Sequence, residues 1–346
     1  MKMCNYAIKI MILLLYISPV ASKDEVVWSW QYRKKVTPEE GLLGKKNKEV
    51  IFVQKDAPHF TQLIFSWNAL RPFMGHFTFY VSVKDAERNT WSNWHQMMQW
   101  GSAIQRSFRV QHTDGNRYEH VRFEVDNGKA DGFRIKVVAQ DTADIHLLKE
   151  LHVNIADFSL FKKESLHDLL QLHTVMVKDV PRISQRELDH PRSAGLCSPT
   201  ACSMLVSYIT KKEINPIQFA EGVFDQGLDI YGSWPFNMAH AYEHAEGKAS
   251  FAASRLNSFK ELHKMLIAGL PVVVSVRGDL MGAPKSYDQG HLLVVIGWDA
   301  RDKSVICHDP AFETKDTIVA KYPLESFLGA WERSRRLSYI AKPHSF

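Results

Sequence analysis

The chain has 346 residues, enough for two domains, with 45% hydrophobic and 23% charged residues and no low-complexity tract. Its formal net charge of +5, with no Lys/Arg cluster interleaved with aromatics, argues against a nucleic-acid-binding protein. The four cysteines form no CxxC pair, which argues against a thiolate zinc site, and no metal or cofactor is expected.

Residues 1–22 read as a secretory signal peptide. Lys2 and Lys9 make the start positive, residues 10–17 form a short apolar core, and Val20-Ala21-Ser22 offers small residues at a cleavage point. The apolar run is too short to span comfortably as a permanent helix, and no later segment reads as a membrane span. The expected location is therefore secreted, or the periplasm or cell envelope. Loss of the segment removes Lys2, Lys9 and Cys4, which lowers the charge from +5 to +3 and leaves Cys197, Cys202 and Cys307. An odd count in an exported protein leaves at least one thiol free or intermolecular, with Cys202 and Cys307 paired or buried.

Residues 23–175 are rich in strand signals. Alternating patterns occur at 60–67, 76–83, 121–125, 132–137 and 149–158, and turn chemistry separates them at 85–89, 114–116 and 126–128. Short strands with regular turns predict an antiparallel β-sandwich. The segment from Trp91 and Trp94 to Trp100 invites two readings. Flat rings on a sheet suit a glycan or cell-envelope polymer, whereas large hydrophobes ordinarily pack inside, and core packing is favoured for Trp91 and Trp94. His59, His76, His95 and His112 show no ligand spacing.

Residues 176–346 change character. After Pro181 and a loop to Gly195, Cys197 stands where an apolar helix starts, with Ser198 as the expected cap and Pro199 as the first residue. Helices follow from Asn215-Pro216, from Pro235 to Gly247, and from a Ser258 cap to Gly269. Apolar strands are expected at 271–276, 292–298 and 304–309, with shorter ones at 250–253, 317–320 and 337–341. Helices first and an antiparallel sheet afterwards predict an α+β layout.

A cysteine at a helix N-terminus meets unpaired N–H groups and a favourable dipole, which is the environment of a reactive thiolate; the plain alternative is a cysteine that only packs. His291 is expected at the start of one strand and Asp309 at the end of the next. In an antiparallel pair these positions adjoin. A carboxylate beside an imidazole fixes its tautomer, and the imidazole can take a thiol proton. His308 is a second possible partner, but it alternates to the other face from Asp309.

The second domain resembles the C-39-like cysteine peptidase family, which is related to the bacteriocin-processing peptidases and papain-like in fold. The residues that carry the resemblance run in order from Val180-Pro181 and Ser184-Gln185, through Cys197-Ser198-Pro199-Thr200 and Tyr231-Gly232-Ser233-Trp234-Pro235-Phe236-Asn237. They continue through Ala268-Gly269-Leu270-Pro271, Gly290-His291-Leu292 and His308-Asp309-Pro310. The resemblance implies Cys197 as nucleophile, His291 as general base and acid, Asp309 as its orienter, and Gln185 as a side-chain oxyanion donor beside the Cys197 N–H. The chain departs from many members in having Ser198 rather than glycine after the cysteine, and in the length of its loop from Gln185 to Cys197. The first domain resembles, more loosely, the β-sandwich that precedes such domains in exported bacterial proteins.

The reading that follows is an exported cysteine peptidase acting on a peptide or protein through a thioester. The rivals are a cysteine acyltransferase using the same triad, in which an amine replaces water, and a non-catalytic envelope- or glycan-binding protein.

Overall fold

The structure is a computed structural model that describes residues 27–36, 48–109 and 115–344; the expected signal peptide at 1–22 lies outside the described residues. In chain order the first elements are β1 (Ser29–Lys35), β2 (Glu49–Gln54), β3 (Gln62–Ala69), β4 (His76–Asp85), β5 (His95–Gly101), β6 (Gln105–Ser107), β7 (Asn116–Glu119), β8 (Arg122–Val125), β9 (Ala130–Gln140) and β10 (Leu148–Ala156). They form two antiparallel five-stranded sheets, ordered β1-β10-β3-β8-β7 and β2-β9-β4-β5-β6. Aromatic contacts join the sheets, including Trp67 stacked on Phe79 with centroids 3.9 Å apart and Tyr32 edge-on to Phe133 at 5.2 Å.

The remaining elements are α1 (Leu166–Leu169), β11 (Val175–Met176), α2 (Cys197–Thr210), α3 (Pro216–Val223), α4 (Trp234–Ala245), β12 (Ala249–Arg255), α5 (Phe259–Ile267), β13 (Val272–Gly278), β14 (Tyr287–Asp299), β15 (Ser304–His308), β16 (Val319–Pro323), α6 (Leu324–Arg333) and β17 (Leu337–Pro343). The third sheet runs β12-β17-β13-β14-β15-β16, with β11 added to β14. The whole is α+β with antiparallel sheets, as the strand and helix patterns predict. Local chemistry sets several ends. Asn215 Oδ1 accepts from the N–H groups of Ile217 and Gln218, and Ser258 Oγ accepts from that of Glu261. Helix α6 was not anticipated, although Leu324, Phe327, Leu328 and Trp331 recur at helical spacing and are all buried.

Strand β3 alternates in sequence, yet each of its eight residues is buried. One face carries Leu63, Phe65 and Trp67. The other carries Gln62, Ser66 and Asn68, which meet β12 rather than water. Asn68 exchanges two hydrogen bonds with the Phe251 backbone at 2.7 and 2.8 Å, Ser66 Oγ accepts from Ala253 N, and Gln62 Oε1 accepts from Arg255 Nε. Nearby, Asn154 Oδ1 accepts from Arg255 N. The first sheet is thus a middle layer, with the second sheet on one side and β12 and α4 on the other. Polar side chains there satisfy backbone groups that an apolar face would leave unpaired.

Trp91 and Trp94 do not enter the core, contrary to the packing expectation. Both are partly exposed, with the Arg134 guanidinium 4.8 Å from the Trp91 ring centroid and 4.4 Å from that of Trp94, and Lys136 Nζ 4.7 Å from Trp94. Cation–π contact gives an indole a partner at the surface, so burial is not required. Trp100 is the fully buried one, edge-on to Trp67.

Candidate active site

Helix α2 delivers the thiol. It starts at Cys197 itself, after a 3-10 turn at Ser193–Gly195, with Leu196 as the preceding half-helical residue. This corrects the expectation that Ser198 caps the helix. Ser198 is fully buried, and its hydroxyl lies 3.0 Å from that of Tyr339 on β17. A side chain turned inward to the sheet cannot reach back to the helix-start N–H groups. Pro199 falls in the first turn, where its missing N–H is not needed. Cys197 is partly exposed, whereas Cys202 and Cys307 are buried; all three are free thiols.

Strand β14 delivers the imidazole. The strand begins at Tyr287, not at Leu292, so His291 lies inside it. The reason is a bulge. Val276 pairs with His291 and Gly278 with Tyr287, so two steps along β13 face four along β14. Gly290 takes φ +87° within the extra length, a region open to glycine. His291 is buried three residues before Val294, which stands opposite His308 on β15, and Asp309 follows His308.

His291 Nε2 lies 2.7 Å from Asp309 Oδ1. The Cys197 thiol is hydrogen-bonded to His291 from the other side, which leaves Nδ1 as the ring nitrogen facing sulfur. Asp309 is fully buried and accepts further hydrogen bonds from Ala311 N at 2.9 Å, the Tyr287 hydroxyl at 2.7 Å and the Tyr322 hydroxyl at 2.6 Å. Tyr287 also lies nearly parallel to the His291 ring, with centroids 4.1 Å apart and planes 18° apart. Neither tyrosine was singled out from sequence. The even spacing of Tyr287 and His291 on one strand was a signal for the first; nothing local pointed to Tyr322, which arrives on β16.

Burial alone would push the Cys197 thiol up, but the hydrogen bond and charge of His291, with the backbone N–H groups of Leu292 and Ser198, outweigh it and hold the thiol below its ordinary range. Burial would likewise push His291 down, yet Asp309 first and Cys197 second raise it above the usual imidazole range. Asp309 is held low, because His291 and the two tyrosine hydroxyls overcome its burial. These directions describe a thiolate–imidazolium pair anchored on a carboxylate. In contrast, burial drives the Cys202 and Cys307 thiols well up. His308 points elsewhere: its Nδ1 lies 3.0 Å from Pro181 O, and burial lowers it to about 4.

Residues 177–339 match the model of the Peptidase_C39 like family. The C-terminal domain belongs to that family. It is therefore a cysteine peptidase domain, and its α+β layout is the one that the helix and strand patterns predict. Among solved structures, a candidate C39-like peptidase from Bacillus anthracis aligns at 22% identity and a TM-score of 0.39, covering 51% of this chain and 100% of that one. Xylellain, a cysteine protease from Xylella fastidiosa, aligns at 14% identity and a TM-score of 0.33, covering 54% of this chain and 91% of that one. A comparison with curated proteins found no match.

In this C39-like domain Gln185 is buried, and its backbone N–H donates to Pro310 O at 2.9 Å. Its side-chain Nε2 donates to the carbonyls of Ser193 at 3.0 Å and Ala194 at 2.9 Å. Gln185 thus ties the loop that precedes Cys197 to the turn that follows Asp309. The long loop between them is itself tethered, with His190 3.1 Å from Glu221 and Arg192 2.8 Å from Asp229. Among the described residues no group of three or more His, Cys, Asp or Glu side chains is placed to hold a metal ion.

Proposed function

We propose that the C39-like domain cleaves an amide bond of a peptide or protein through a thioester on Cys197, and that the protein acts outside the cytoplasm. The observation that carries the reading is the thiol of the partly exposed Cys197 hydrogen-bonded to a buried imidazole whose far nitrogen is held 2.7 Å from a buried carboxylate. Cys197 Sγ attacks the carbonyl carbon, and the displaced electron pair moves to oxygen. Collapse breaks the C–N bond as the Nδ1 proton of His291 passes to the leaving amine. Water, losing a proton to His291, then attacks the thioester and Cys197 leaves as thiolate. Asp309 stabilises the imidazolium whenever it forms and keeps the ring oriented throughout.

Negative charge on the carbonyl oxygen is favoured at the start of α2, whose first N–H groups lack partners within the helix. Gln185 joins them only if its amide leaves the Ser193 and Ala194 carbonyls. The export half of the reading rests on the signal-like residues 1–22.

Peptide mixtures incubated with wild-type and Cys197→Ala protein test the catalytic half, with intact-mass detection of an acyl adduct. New peptide termini and a Cys197 adduct in wild type alone support it; equal cleavage by the variant overturns it. Addition of amine acceptors separates water from amine as the second nucleophile. Expression in a secreting host tests export, which requires a mature N-terminus just after Ser22.

A further inference from the structure

We infer that Tyr287 and Tyr322 are positioning residues of the Cys197–His291 pair, acting through Asp309, an inference that rests on the catalytic reading above. A carboxylate offers about four acceptor positions, and here each oxygen takes two donors. Oδ1 receives His291 Nε2 and Ala311 N, and Oδ2 receives the two tyrosine hydroxyls at 2.7 and 2.6 Å. Asp309 is fully buried, so no bulk water competes for these sites. A buried carboxylate without donors would shed its charge by taking up a proton. The nearest proton is the one on His291 Nε2. Two phenol donors stabilise the anion, make Asp309 a weaker proton acceptor, and keep that proton, and the positive charge, on the ring beside sulfur.

Tyr287 has a second task. Its ring lies 4.1 Å from the imidazole at 18° while its hydroxyl reaches Asp309. Rotation of His291 away from Cys197 would break the stack and the Nε2 bond together. Both phenols stay protonated, because burial and the charge of Asp309 each oppose their ionisation. Tyr322 contributes its hydrogen bond to Asp309 and a contact with the Tyr287 hydroxyl, without the stack on the imidazole. The two residues therefore differ in a testable way: Tyr322→Phe and Tyr287→Phe each remove one donor and keep the ring, while Tyr287→Leu removes the donor and the stack.

The experiment is alkylation of the full chain by iodoacetamide, mapped to Cys197 by mass spectrometry, as a function of pH between about 3 and about 9, the span from a strongly activated to an ordinary thiol. Wild type should react with a midpoint well below that of a free cysteine. Each phenylalanine variant should move the midpoint up by about half to one pH unit, and Tyr287→Leu by more, since a charged hydrogen bond carries roughly one to two tenfold steps. Thermal melts establish that each variant is folded, and if one is not, the other tyrosine carries the test. Folded phenylalanine variants with the wild-type curve overturn the positioning role. A wild-type midpoint at the free-cysteine value instead overturns the catalytic reading, whatever the variants do.

Discussion

His291 Nε2 sits 2.7 Å from Asp309 Oδ1, a bond from β14 to the residue that follows the last of β15. The two strands are antiparallel neighbours, with Val294 opposite His308 and a register shift between Val295 and Gly297. Asparagine at 309 would keep the size and one acceptor but lose the charge. Asp309→Asn is expected to lower turnover on the order of a hundredfold to ten-thousandfold and to move the Cys197 alkylation midpoint toward that of a free thiol. Steady-state kinetics and the pH profile of labelling check this together.

Thiol selectivity should be sharp. Cys197 is partly exposed and held low by His291, while Cys202 and Cys307 are buried and driven up. Near pH 6, about two units below an ordinary thiol, an electrophile should label native protein once. Cys197→Ala should abolish that label, and Cys202→Ala and Cys307→Ala should retain it. Labelling that survives Cys197→Ala would place the reactive thiol elsewhere.

The edge of the sandwich is clamped to the peptidase domain. Asp225, fully buried, accepts from Ser107 N at 2.8 Å and Ser107 Oγ at 2.6 Å, and from Ser233 Oγ. A Cβ on Gly227 would lie 1.9 Å from Ser107 O. Asp225→Ala strands several buried donors and should cost on the order of 3 kcal/mol. Gly227→Ala should push β6 off its seat. Both should lower the melting temperature, and the readout is earlier proteolysis near β6 with Cys197 labelling kept in the folded fraction.

Acid should destabilise the fold through His308. Burial lowers its pKa to about 4, below the value near 6.5 of an unfolded imidazole. As pH falls from about 6.5 toward about 4, the unfolded chain gains a proton that the native state refuses, so stability declines across that window by a few kcal/mol. Above it His308 is neutral in both states and contributes no slope. His308→Asn keeps a donor for Pro181 O and removes the titration; denaturant melts across the window should show a flatter pH dependence. An unchanged slope would assign the acid sensitivity to other groups.

Much of this protein was written in local pattern. Alternation located β3, β4, β8, β9 and β10, and the Asn215 and Ser258 caps located two helix starts, because periodicity and caps depend on residues a few positions apart. A cysteine opening an apolar helix, a histidine before an apolar run and an aspartate after the next strand were legible in the same way. Short or partly exposed strands such as β2, β6 and β7 were not, since their pairing partners supply what their own composition lacks. Only tertiary structure decided that Ser198 turns to Tyr339, that Trp91 and Trp94 lie against cations, and that the polar side of β3 is covered by β12. It likewise brought Tyr287 and Tyr322 to Asp309 and engaged the Gln185 amide with loop carbonyls. Those contacts join segments distant in the chain or depend on how a loop is seated. Their geometry follows from sheet register, the β14 bulge and the packing of one layer on another, none of which a local window of sequence contains.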